Sequence, residues 1–102
     1  MANDDEDVSV RELTIPPDAQ ELGGTEVLRA FVVNNGLSVS LQRAFDTPST
    51  WGILLVDVAR HVARIFAKET GMTENEALLE IRQLFEAEWD RPTDLGNTDA
   101  IN

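Results

Sequence analysis

The 102-residue chain contains no cysteine. That excludes disulfides, thiolate nucleophiles and cysteine-based zinc sites. It has one histidine, His61, so further metal ligands would have to be carboxylates, a set suited to calcium or magnesium rather than zinc. Long apolar runs are missing as well. The run Ile53 to Val56 falls far short of the roughly 20 residues that span a bilayer. The N-terminal MANDDEDVSV has neither the basic nor the apolar region of a secretory signal, and a soluble, cytoplasmic protein is expected. Basic residues are scarce: eight Lys and Arg stand against 19 Asp and Glu, a net charge of −11. Nucleic acid and anionic membranes repel such a charge, so neither is expected as a partner.

What is present suits one small domain, since 42% hydrophobic residues in 102 can supply a single core without disulfides. The charge is unevenly laid out. Residues 1–24 hold seven acids and one Arg, residues 25–68 three acids and five bases, and residues 69–102 nine acids and two Arg. A mildly basic centre therefore lies between two acidic flanks. Residues 1–12 read as an acidic segment without fixed structure, residues 13–92 as one domain, and residues 93–102 as a flexible tail.

Within the domain, Leu13, Thr14 and Ile15 alternate and suit a short strand that Pro16 and Pro17 would end. Thr25 to Val33 are strand formers, and GLSVSLQRAF from Gly36 alternates between apolar and polar residues. Asn34, Asn35 and Gly36 supply a hairpin turn. With Asn35 and Gly36 as the two turn residues, Val32 faces Val39, Ala30 faces Leu41, and Gly36 needs positive φ. One face then carries Leu28, Ala30, Val32, Leu37, Val39, Leu41 and Phe45; the other carries Val27, Arg29, Phe31 and Val33 beside Ser38, Ser40, Gln42 and Ala44. A three-residue turn would mix the two sets.

Two helices follow. The first should start near Ser49 or Thr50, with Trp51, Leu55, Val58, Val62 and Ile65 at helical spacing and Leu54, Ala59 and Phe66 widening the stripe. Gly71 is placed to end it. The second opens with Thr73 and Glu76 at capping-box spacing, carries Leu78, Ile81, Leu84, Phe85 and Trp89, and is stopped by Pro92. The expected fold is α+β: a β-hairpin, with Leu13–Ile15 as a candidate third strand, packed on one face by two antiparallel helices.

Candidate sites are few. Asp57, Arg60, His61, Arg64 and Lys68 share the polar side of the first helix, where Asp57 could orient the His61 ring from four residues away. A general base also needs a partner proton within about 3 Å, and the sequence identifies none; a solvated helix face is the simpler reading. Arg60, His61, Arg64 and Lys68 remain a candidate anion contact. Gly23 and Gly24 form a doublet without a phosphate-loop signature, and Asp4–Asp7 lacks the spaced ligands of a calcium loop. No catalytic residue, metal site or cofactor is expected. Val27, Phe31 and Val33, apolar on the hairpin face away from the helices, are the candidate interface for a second copy or an unidentified protein partner, unless the segment around Leu13 and Ile15 folds back over them.

The segments LTIPPDA, GGTEVLRAF, GLSVSLQRAF, WGILLVDVARHVARIF and EAEW, spanning Leu13 to Thr93, resemble a family of small alphaproteobacterial proteins, about 100 residues long and of unknown function. The resemblance implies a complete stand-alone domain and brings no reaction, cofactor or site residue. The leading expectation is a non-enzymatic, self-associating or protein-interaction domain. The alternative is a small-ligand or anion-binding domain using the basic face of the first helix.

Overall fold

The computed structural model describes residues 8–93 and 98–100. Residues 8–16 run without regular structure into a short helix, α1 (Pro17–Leu22). Pro17 sits at the first helical position, where its missing N–H costs nothing and its fixed φ fits the helix. Asp18 lies in the first turn, and Gly23, at φ 85°, ends the helix while its N–H donates to the Ala19 carbonyl at 2.9 Å. Leu13–Ile15 therefore forms no strand. The Pro-to-Gly spacing that marks α1 was visible in PPDAQELG, but six residues are too few to give a helical stripe.

Strands β1 (Leu28–Val33) and β2 (Gly36–Leu41) form an antiparallel hairpin. Its turn is Asn34–Asn35, not Asn35–Gly36: both asparagines are left-handed, at φ 49° and 68°, as a type I′ turn demands. Asparagine tolerates that region better than most residues, so glycine is not required there. Gly36 instead opens β2 opposite Val33, and the ladder pairs Val32 with Leu37, Ala30 with Val39 and Leu28 with Leu41. The register is two residues from the expected one. Because side chains alternate with period two, an even shift leaves both faces with the membership read from the sequence.

A third strand, β3 (Thr98–Ala100), joins the other edge of β2 in parallel, giving the order β1-β2-β3. The segment expected as a loose tail thus supplies the third strand that Leu13–Ile15 does not. Parallel neighbours need a long crossover, and here two helices provide it.

The chain leaves β2 through a tight corner. Ala44 is left-handed (φ 66°), the Trp51 indole N–H donates to the Arg43 carbonyl at 2.7 Å, and the Phe45 and Trp51 rings meet edge to face at 5.6 Å. Helix α2 (Pro48–Glu69) begins with Pro48 at its first position and Thr47 as the cap residue, earlier than the Ser49 or Thr50 start expected, because Pro48 is pre-organised for that place. It ends where the Thr70 N–H and hydroxyl both donate to the Phe66 carbonyl, at 2.9 and 2.7 Å. Helix α3 (Glu74–Asp90) has the expected capping box: the Glu76 N–H donates to Thr73 Oγ1 at 3.1 Å, and the Thr73 N–H donates to Glu76 Oε1 at 2.8 Å.

The α+β elements are as the pattern reads, a hairpin and two long helices, but their packing is not. Among the described residues α2 packs on α3 and β2 on its two neighbours, and neither helix packs on the hairpin. Among the described residues only Ala63 of α2 and Ala77 of α3 are buried. The expected core stripes are covered unevenly: Trp51, Leu54, Val62, Leu78 and Ile81 are partly buried, whereas Leu84 is 63% and Trp89 74% exposed. Small alanines suit a close approach of the two helices, and Ile65, Leu84 and Trp89 are left largely uncovered. The radius of gyration is 16.6 Å, against about 13 Å for a compact domain of this length.

Candidate functional site

On α2, positions 57, 60, 61, 64 and 68 lie on one side at helical spacing, and all five side chains are exposed. The expected Asp57–His61 bond is not among the hydrogen bonds formed. Instead Arg64 Nη1 approaches His61 Nδ1 at 3.3 Å. A guanidinium can only donate, so Nδ1 accepts and this arrangement needs the ring proton on Nε2. Arg64 Nε also lies 3.7 Å from Glu74 Oε2, which ties the middle of the basic row to the first turn of α3. Arg60 and Lys68 extend the row along an exposed helix surface. Among the described residues no cluster of three or more His, Cys, Asp or Glu could hold a metal ion, and the acidic run Asp4–Asp7 lies outside them. Among the described residues no helix is long and apolar enough to cross a membrane.

The second place of interest is the hairpin. Val27, Phe31 and Val33 share a face with Arg29, as alternation requires, and Phe31 and Val27 are half-buried. Arg29 is the polar centre of that face. Its Nη1 donates to Glu12 Oε2 at 2.5 Å, and its Nε and Nη2 lie 3.2 Å from the two oxygens of Glu26. Bonding to Glu26, and secondarily to Glu12, raises the guanidinium pKa further above its ordinary value. The Glu12 bond brings the N-terminal segment against the hairpin, although not in the way a covering fold-back would: Leu13 remains 97% exposed and Ile15 mostly so.

Beside this clamp runs a groove of about 1070 Å³. One wall is the N-terminal segment from Ser9 to Pro16 with Ala19 and Gln20 of α1; the other is β1 itself, including Leu28, Ala30 and Val32. On the opposite hairpin face, read from the sequence as core, Leu28, Val39 and Leu41 are half-buried, but the end next to the turn is open: Val32 is 79% and Leu37 61% exposed. Sequence reasoning placed these residues under the helices and so missed them as surface. Their alternation marked a sheet face needing cover, and could not say from which chain the cover comes.

A family profile described as "Domain of unknown function (DUF5076)" matches residues 12–93. A solved structure from the photosynthetic bacterium Rhodopseudomonas palustrus, described as a "putative pyruvate dehydrogenase", is similar to this chain: 47% of residues are identical, the TM-score is 0.73, and the match covers 92% of this chain and 98% of that one. No curated protein matches the chain.

Proposed function

The chain belongs to DUF5076, a family of domains of unknown function, and from that premise we propose that it is a non-enzymatic interaction domain that associates with a second copy of itself. The observation that carries this reading is its surface. The chain exposes 9222 Å², whereas a folded monomer of 11.3 kDa exposes about 5700 Å². The irregular N-terminal stretch accounts for part of the excess. Large apolar side chains on regular elements are another part, Val32 and Leu37 on the hairpin and Leu84 and Trp89 on α3, and exposed apolar surface of this kind is what an interface covers.

Two other readings have less support. An anion held by Arg60, His61, Arg64 and Lys68 would compete with Glu74 for Arg64 on a surface without walls. A dehydrogenase reading, taken from the neighbour's name, would call for ionisable groups converging on a cleft; in the groove beside β1 the arginine is already held by two carboxylates.

Association by mass action makes thermal stability depend on concentration. The melting temperature is expected to rise by several degrees between low micromolar and high micromolar protein. A cooperative transition whose midpoint does not move across that range contradicts the proposal.

A further inference from the structure

The free edge of the hairpin bears on how two copies would meet, an inference that rests on the self-association reading above. Among the described residues, in the sheet order β1-β2-β3, β1 has a neighbour on one side only. A two-residue hairpin closes on a hydrogen-bonded pair, here Val33 with Gly36, and the Gln42 N–H donates to the Val27 carbonyl at 3.2 Å. Alternation then sends the peptide groups of residues 27, 29, 31 and 33 towards β2 and those of Leu28, Ala30 and Val32 outward. These three residues, Leu28, Ala30 and Val32, lie along the groove of about 1070 Å³. Unpaired edge groups of this kind are a template for strand addition.

We propose that the β1 strands of two copies pair antiparallel across this edge, about a two-fold axis at Ala30, into one continuous sheet.

The register follows from the residues. Centred on Ala30, the pairing uses all three outward peptide units of each chain, joining Leu28 to the partner's Val32 and Ala30 to the partner's Ala30. It sets Arg29 opposite the partner's Phe31, where a guanidinium can lie over an aromatic face. Centring one residue earlier would place the two Arg29 side chains directly opposite each other, a repulsive pair. Centring one residue later would leave Leu28 opposite the turn residue Asn34. Paired at Ala30, the faces carrying Leu28, Ala30, Val32, Leu37, Val39 and Leu41 merge on one side of the joined sheet. The sheet face then doubles in width and becomes a surface on which helices can pack.

Because the chain has no cysteine, single-cysteine variants report the pairing directly. Ala30→Cys should form a disulfide-linked dimer under mild oxidation, since residues facing each other across a strand pair bring their Cα atoms to about 5.5 Å, within disulfide reach. Leu28→Cys and Val32→Cys should each link poorly alone, because the two copies of residue 28 lie about 14 Å apart along the strand at ~3.4 Å per residue, and should link readily when mixed. The mixing experiment leaves Ala30 intact and stands if the Ala30 variant does not fold. Light scattering on the reduced variants separates the two levels of the argument. A dimer in which neither Ala30→Cys nor the 28/32 mixture cross-links above an Arg29→Cys control overturns the edge pairing and leaves self-association standing. A monomer in the wild-type chain overturns both.

Discussion

At Asn34 and Asn35 the backbone occupies left-handed space that a β-branched side chain enters only at a cost of about 1–2 kcal/mol. Asn35→Val should therefore lower stability by about that amount, whereas Asn35→Gly should be neutral or slightly stabilising. Urea melts of the two variants check this, and equal stabilities would mean that the turn lies elsewhere. Asn-Asn-Gly was legible as a turn, but not as which two residues form it: Gly36 is the usual bearer of positive φ, and here it takes an extended conformation opposite Val33. His61 was legible as an exposed side chain. Its partner was not, because Asp57 one turn earlier and Arg64 one turn later stand at equivalent helical offsets, and only the built helix, with Arg64 drawn towards both His61 and Glu74, decides between them.

Among the elements, α3 is the one whose start was most fully written in the sequence. Thr73 and Glu76 satisfy each other's backbone amides, and Thr73→Ala should cost about 1 kcal/mol. The Thr73 amide also holds the Glu76 carboxyl below the usual glutamate range, and Thr93 does the same for Glu88 near the other end of the helix. Since the folded value is the lower one, the contribution of each carboxylate is present above about pH 4.3, the ordinary glutamate value, and is lost as pH falls through the folded value. Amide exchange at Thr73 and Thr93, referenced to the intrinsic rate, should accelerate in that acid range; protection that does not change with pH would remove the carboxylates from the caps. Both long helices were legible because their 3.6-residue periodicity runs over several turns. Helix α1 and strand β3 were not: six and three residues are too short to show a period, and β3 depends on an edge of β2 that exists only after the chain has crossed over. The apolar stripe of α3 carries a prediction of its own. Leu84→Asp should leave helicity unchanged while raising the dimer dissociation constant by about tenfold or more, the effect of losing ~1.4 kcal/mol at a buried contact. Unchanged affinity would take α3 out of the interface.

For the whole molecule, the sequence told which faces need burial and that α2 and α3 are antiparallel neighbours, and it could not tell that, among the described residues, the pair stands clear of the hairpin. The physical reason lies in the linker and the helix pair. Trp51 pins the corner to the Arg43 carbonyl, and the contact of α2 with α3, in which Ala63 and Ala77 are buried, makes the two helices each other's nearest support, while Leu84, Trp89, Val32 and Leu37 stay in water. A chain of this size rarely keeps so much ordered apolar surface exposed as a monomer, and its net charge of −11 opposes indiscriminate aggregation without preventing a matched apolar contact. The most direct measurement is the mass in solution, by size-exclusion chromatography with light scattering from low to high micromolar concentration. A species of twice 11.3 kDa, well folded by circular dichroism, is the predicted result. A well-folded species of 11.3 kDa that persists at the highest concentration would contradict it.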